Sequence, residues 1–261
     1  MKCSICDSPN PSFFDKAVVL GKYEIFYFEC NHCGLVNTGE PYWLEEAYSD
    51  AIGQSDIGLV SRNLINADLN RTDTALFFDR YGTFLDYGGG YGLFVRMMRD
   101  QGLDFYLYEP NSKNLYAKSF EINLPPDAEF HLVTAFEVLE HLRDPLAEIE
   151  QMLKLSPSIF FSTTLLPTPS PKPSQWWYYS LEGGQHISLY TRRSLQCLAD
   201  RLGVRVYSDG RSHHLFTNMK ISPLIYAMAV RVRISRLINQ FIHQSSLLSS
   251  DYLRVVGRPL E

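Results

Sequence analysis

The chain has 261 residues, 45 % hydrophobic and 20 % charged, with 24 Lys and Arg against 29 Asp and Glu. That length fits one medium domain plus a small appendage, and the apolar share is enough for an ordinary core. A net charge of −5 argues against a nucleic-acid groove, which needs a basic face. No uninterrupted apolar run reaches the length of a spanning helix. No apolar leader precedes the first cysteine, so the expected compartment is the cytoplasm, where thiols stay reduced.

The first pattern is Cys3-Ser-Ile-Cys6 and Cys30-Asn-His-Cys33, two C-x-x-C pairs with 23 residues between them. Four thiolates at this spacing can close a tetrahedral zinc site. The spacing predicts strands over Ala17–Leu20 and Tyr23–Phe28, joined at Gly21-Lys22, and Gly34 suits the turn after the second pair. Residues 1–40 therefore read as a zinc ribbon around structural Zn2+. A closed four-cysteine site has no open position, so no catalysis is expected there. Residues 41–82 read as a glycine-containing loop around Gly53 and Gly58 followed by a helix over Leu59–Arg80, serving as a cofactor lid or as a plain linker.

Phe84-Leu-Asp86-Tyr-Gly88-Gly89-Gly90-Tyr-Gly92 follows. An apolar strand, Thr83–Tyr87, runs through a glycine-rich turn into a predicted helix, Leu93–Asp100. Glycines let the backbone approach a ligand, and the helix start offers free N–H groups. Glu109 closes the next strand, Phe105–Glu109, where a carboxylate can take both hydroxyls of a ribose. This is a nucleoside-cofactor site. A helix is expected over Ser112–Phe120, and residues 121–129 leave room for no more than a very short third strand.

Further strands are expected over Phe130–Phe136, Ser158–Thr164 and Val204–Tyr207, and helices over Pro145–Leu155, with Asp144 as cap, and Ser194–Leu202, with Cys197 as a core thiol. A proline-rich loop leads into Trp176-Trp177-Tyr178-Tyr179 and Gly183-Gly184-Gln185-His186. A helical insertion is expected at about 219–247 and a final strand over Tyr252–Val256.

Asp86-x-Gly88-x-Gly90-x-Gly92 resembles motif I of class I S-adenosylmethionine (SAM) methyltransferases. Glu137-Val-Leu-Glu140-His141-Leu-Arg-Asp144-Pro145 resembles their fourth-strand motif, E-V-L-E-H-x-x-D-P. The resemblance covers roughly residues 60–211. It implies an α/β fold: a Rossmann-like seven-stranded-type sheet with a shortened strand 3, within a domain over 83–261. It also implies SAM held by Asp86, Gly88, Gly90, Gly92, Glu109, Phe136 and Glu137. The usual adenine-contacting acid has no firm match, leaving Glu121 and Asn123 as candidates. Cys33-Gly34-Leu35-Val36 is similar to the zinc-binding module of bacterial sugar C-methyltransferases.

A sulfonium methyl needs little activation, so the enzyme must align donor and acceptor and take up a proton. His186, Glu137 and His141 are the candidate bases; for His186 the alternative is a loop histidine bonded to backbone, and for His141 a structural role. Trp176, Trp177, Tyr178 and Tyr190 are candidates for lining an acceptor pocket, against plain packing of a long loop. The expected function is methyl transfer to a small polar acceptor, with a sugar or nucleotide-linked sugar of surface-polysaccharide assembly preferred. RNA base methylation and a non-catalytic binding module of the same fold remain the alternatives.

Overall fold

The structure is a computed structural model that describes residues 2–49, 56–125 and 127–260. The expected mobile loop around Gly53 lies outside the described residues. In chain order the elements are β1 (Ser12–Val19), β2 (Tyr23–Glu29), β3 (Val36–Thr38), α1 (Leu44–Ala47), α2 (Leu59–Phe77), β4 (Thr83–Tyr87), α3 (Leu93–Asp100), β5 (Asp104–Tyr108) and β6 (Leu132–Phe136). There follow α4 (Pro145–Leu155), β7 (Ser158–Ser162), β8 (Ser188–Leu189), α5 (Arg192–Leu202), β9 (Arg205–Ser208), β10 (His213–Thr217), α6 (Pro223–Ala229), α7 (Val232–Asn239) and α8 (Leu248–Val256). Among the described residues no helix is long and apolar enough to cross a membrane.

The chain forms two compact units. One gathers Met1–Ile57, Glu137–Leu153 and Phe161–Lys220; the other gathers Gly58–Phe136, Lys154–Phe160 and Ile221–Glu261. The larger sheet has the order β5-β4-β6-β7-β10-β9. The first three residues of β7 belong to the second unit and the last two to the first.

In the second unit β4 pairs in parallel with β5 on one side and β6 on the other. Phe84, Leu85, Phe105, Leu107, Leu132 and Val133 are buried, the near-continuous apolar content expected of parallel strands covered on both faces. Phe84 stacks on Phe105 at 5.0 Å, and Phe94 of α3 meets Phe105 edge-on at 5.4 Å. The helical insertion takes the form of α6 and α7. A polar seam ties α7 to α2: the Ser235 and Thr72 hydroxyls lie 2.7 Å apart, and the Ser235 hydroxyl donates to the Asp68 carbonyl at 2.6 Å. Arg236 pairs with Asp68 at 2.7 Å.

Two expectations here are corrected. Ser112–Phe120 is a series of turns, not a helix. Its amides are diverted, with Leu115 and Tyr116 N–H both donating to the Tyr91 carbonyl and Ala117 N–H to Asn114 Oδ1. Side chains such as Asn compete with helix in this way. Tyr252–Val256 is helical, within α8. Asp251 on that helix makes a two-pronged pair with the Arg99 guanidinium, at 2.8 and 2.6 Å. The strand that completes the sheet is instead β10, antiparallel to β9. Strand 3 is reduced, as expected, to one parallel bridge between Leu107 and Glu121.

In the first unit β1, β2, β3 and β8 form a four-stranded sheet in that order. Residues Val36 and Asn37 of β3 pair antiparallel with Leu189 and Ser188. Its core joins Val19, Ile25, Tyr27 and Val36 with Trp43, Leu44, Tyr178, Tyr179, Ile187 and Leu189. Helix α5 opens on a Thr191–Ser194 capping box and closes at Gly203 with φ of +68°, the left-handed stop that glycine accepts most readily. Cys197 on this helix is half-buried rather than a core thiol.

Candidate functional site

The glycine turn between β4 and α3 adopts a conformation that side chains resist. Gly88, Gly90 and Gly92 have φ of +70°, +57° and +80°. At Gly89 the constraint is space, since a Cβ would lie 2.1 Å from Asp86 Oδ2 and 2.7 Å from Leu107. At Gly92 it would meet Ala117 and Asn114 at 2.9 Å, whereas at Gly90 it would meet nothing within 4 Å. The turn is thus packed from behind and open at its tip.

Two carboxylates shape this turn. Glu109, just beyond β5, accepts from the Gly90 N–H at 2.9 Å and from the Asn111 and Ser112 N–H groups at 2.6 and 3.1 Å. Asp86, 2 % exposed, accepts from the Thr134 hydroxyl at 2.7 Å. Burial pushes its carboxyl up to about 7, against the Thr134 bond and with the charge of Glu109 adding to the rise. Thr134 was not foreseen, because a lone threonine in an apolar strand carries no sequence signal of a partner. Phe136 packs edge-on against Phe94 at 4.9 Å and Phe160 at 5.5 Å. Of the adenine-side candidates, Glu121 is bonded to the Asn114 amide and Asn123 lies in the following irregular segment.

In the first unit a second polar cluster gathers around Tyr178. Glu137, next in the chain after Phe136, has φ of +53°, a region costly to residues with a Cβ. Its N–H donates to the Ser162 carbonyl at 3.2 Å and hydroxyl at 2.9 Å, and the Ser162 hydroxyl donates to Glu137 Oε1 at 2.6 Å. The buried Tyr178 hydroxyl donates to Glu140 Oε1 at 2.5 Å and Glu137 Oε2 at 3.3 Å, and accepts from the Thr164 N–H at 2.9 Å. Burial raises both the Glu140 carboxyl and the Tyr178 hydroxyl.

The three candidate bases all belong to this cluster. His186 Nδ1 lies 2.6 Å from the Tyr178 carbonyl, so the N–H sits on Nδ1 and the lone pair on Nε2. The His141 ring stands perpendicular to it at 4.9 Å. His141 Nδ1 lies 3.1 Å from the Tyr48 hydroxyl. Burial, then the neighbouring His186, pushes His141 down to about 3, against a bond to the Gln185 backbone. A histidine of such low basicity is a poor proton acceptor at neutral pH. Tyr48 carries no sequence signal of this partner, because it lies in a stretch read as a loop and His141 is 93 residues away.

The aromatic candidates divide. Tyr178 and Tyr190 are buried, and the Tyr190 hydroxyl donates to the Leu139 carbonyl at 2.8 Å. Trp177 is 75 % exposed and, with Trp176, lines a shallow cavity of about 260 Å³ that also includes Gln175 and Glu182.

At the N-terminus the four cysteines come together. Sγ of Cys3 and Cys33 are 3.6 Å apart and those of Cys6 and Cys30 3.5 Å, and all four lie within 4.8 Å of one another. A tetrahedron with Zn–S of about 2.3 Å has edges of about 3.8 Å, so the donor set fits zinc. The Cys33 N–H points at Cys30 Sγ, 3.5 Å away, and the Thr191 hydroxyl donates to the Cys33 carbonyl at 2.7 Å.

A family profile described as a methyltransferase domain matches residues 62–209. The chain belongs to the methyltransferase-domain family. Its parallel sheet and glycine turn give it the fold of class I SAM-dependent methyltransferases. No curated protein matches the chain. Among solved structures, CalO1, a methyltransferase of calicheamicin biosynthesis bound to SAH, is 16 % identical over 69 % of this chain and 60 % of its own, with a TM-score of 0.47. An O-methyltransferase family 2 protein from Planctomyces limnophilus in complex with apigenin is 13 % identical over 67 % of this chain and 66 % of its own, with a TM-score of 0.48. NcsB1, an O-methyltransferase from neocarzinostatin biosynthesis solved with SAH and 1,4-dihydroxy-2-naphthoic acid, is 12 % identical over 68 % and 61 %, with a TM-score of 0.45. The chain thus spans under two thirds of the length of each.

Proposed function

We propose that this protein transfers a methyl group from SAM to a small polar acceptor in the cytoplasm. The observation that carries the proposal is the β4–α3 turn, with three left-handed glycines and Glu109 bonded to the Gly90 N–H at its open tip. Glu109 accepts three backbone bonds and still has lone-pair capacity for ribose hydroxyls. On the acceptor side His186 takes up the proton through Nε2, its ring held by the Tyr178 carbonyl. Glu137 holds the Tyr178 hydroxyl, and His141 serves as a neutral neighbour.

The preferred acceptor is a sugar or nucleotide-linked sugar of surface-polysaccharide biosynthesis. Two features support that class: the exposed Trp177 beside a shallow polar-rimmed cavity, and the similarity of the cysteine module to that of sugar methyltransferases. Cys3, Cys6, Cys30 and Cys33 hold a structural Zn2+, which when bound balances the thiolate charge and ties the two knuckles together.

Calorimetric titration with SAM and with its demethylated product tests the cofactor; binding of neither overturns the methyltransferase reading. Incubation with SAM and a panel of nucleotide sugars and phenolic acceptors then tests the substrate class. A sugar product heavier by one methylene is expected. Turnover of phenols with no sugar product removes the sugar assignment.

A further inference from the structure

We propose that Glu140, His141 and His186 form a second divalent-cation site, separate from the four cysteines and able to take a borderline metal such as zinc or cobalt. One ligand atom from each of the three residues falls within 4.8 Å of the others. A carboxylate with two imidazoles is a donor set common to zinc and other first-row metals.

A second observation points to a ligand. Glu140 is fully buried. Its Oε1 is occupied by the Tyr178 hydroxyl at 2.5 Å, while its Oε2 is buried with no hydrogen-bond partner. A buried carboxylate oxygen left this way is costly, and a cation beside it removes that cost.

The surroundings also fit the outer shell of a metal centre. A ligating histidine usually donates its remote N–H to a carbonyl or carboxylate, which fixes the ring and the tautomer. His186 Nδ1 does so with the Tyr178 carbonyl at 2.6 Å, which assigns Nε2 as the donor atom. The Tyr48 hydroxyl at 3.1 Å orients His141, and Tyr178 orients Glu140. The sequence concealed the set because Glu140 and His141 are adjacent while His186 is distant, unlike the short regular spacings of helical metal motifs.

This site stands independently of the methyl-transfer reading. The two meet at His186 Nε2, which cannot hold a cation and accept a proton at the same time. Metal in excess therefore competes with the proposed base.

The test is anaerobic titration of metal-stripped full-length protein with Co2+, comparing wild type with Glu140→Gln and His186→Gln. Wild type is expected to bind one more cobalt per chain than either variant, or to bind it roughly tenfold or more tightly. The extra cobalt should contribute visible ligand-field bands without the near-ultraviolet sulfur-to-cobalt band. The sulfur band, retained in both variants, reports that the cysteine module and its fold are intact. Equal cobalt content and affinity in all three proteins overturns the proposal. So does a lost increment that carries the sulfur band, because the missing metal is then the one at the cysteines.

Discussion

Glu109 orders the turn at which the proposed cofactor would bind. Its three backbone bonds, to Gly90, Asn111 and Ser112, fix the tip of the glycine turn before any ligand arrives. Removing it strands three N–H groups and, on the proposed reading, loses the ribose partner as well. Glu109→Ala is expected to weaken SAM binding by roughly 1–3 kcal/mol, the usual cost of unpaired buried hydrogen-bonding groups. Calorimetry reads this directly, and unchanged affinity would remove Glu109 from the cofactor site. Its position, an acid just beyond the strand after the glycine turn, was legible because sheet topology dictates it; its role toward a ribose is the proposal. Glu140 was less legible. Nothing in Glu-Val-Leu-Glu140-His141 shows which acid is buried; that depends on Tyr178, 38 residues away.

Helix α8 is held to its unit by charge more than by apolar area. Leu253, Val255 and Val256 are about half exposed, whereas Asp251 is 5 % exposed and grips Arg99, itself 4 % exposed. Arg96 adds a contact to Asp251 at 2.9 Å, and Arg99 stacks 3.8 Å from the Phe120 ring centre. Burial alone would raise the Asp251 carboxyl, but the Arg99 and Arg96 bonds outweigh it and hold it below its ordinary value. A depressed folded-state value means that this contribution is present above the unfolded carboxylate range and is lost as pH falls through the folded value. Asp251→Ala removes the two-pronged partner of Arg99, leaving Arg99 with Asp104 and Arg96 with Asp100, and is expected to cost about 3 kcal/mol, the low end for breaking a buried pair, read from the denaturant midpoint at neutral pH. A loss under about 1 kcal/mol would show that α8 is held some other way.

The same helix explains why the end of the sheet was illegible. Tyr252–Val256 is rich in the aromatic and β-branched residues favoured in strands, yet it is wound into α8, whose Asp251 is paired with Arg99 and Arg96. β10 was hidden for the opposite reason: His213, His214 and Thr217 leave only Leu215-Phe216 as an apolar run. His214 is nevertheless buried, bonded to the Ser208 hydroxyl at 2.8 Å and the Thr163 carbonyl at 3.0 Å. Elements fixed by local pattern, such as β4, α3 and α4, were readable to the residue. Those fixed by a distant polar partner were not.

At the scale of the molecule, the first unit is assembled from three separate stretches of chain, and the cysteine cluster lies where two of them meet. Thr191 caps α5 and bonds the Cys33 carbonyl. Arg201 on α5 donates to the Ile5 carbonyl at 2.6 Å and pairs with Asp7 at 2.8 Å. The knuckles and α5 are therefore one mechanical piece, with β8 and His186 just ahead of it in sequence. Chelation at neutral pH, or Cys30→Ser, is expected to lower the melting temperature by roughly 5–15 °C, equivalent to a few kcal/mol at this size. Circular dichroism before and after adding zinc back checks this; an unchanged melting temperature would mean the cysteines need no metal.

The pairing of β3 with β8 also sets an order of assembly. The edge of β3 has its partner about 150 residues further along the chain, at Ser188–Leu189. A nascent chain emerging from the ribosome carries the hairpin and both knuckles early, but β3 keeps an unpaired backbone edge until β8 has been made. Bare edges recruit other chains, and contacts of such long sequence separation form slowly. The amino-terminal forty residues are thus a poor candidate for excision as a free module: cut away from β8, they carry a sheet edge that aggregation can complete in its place.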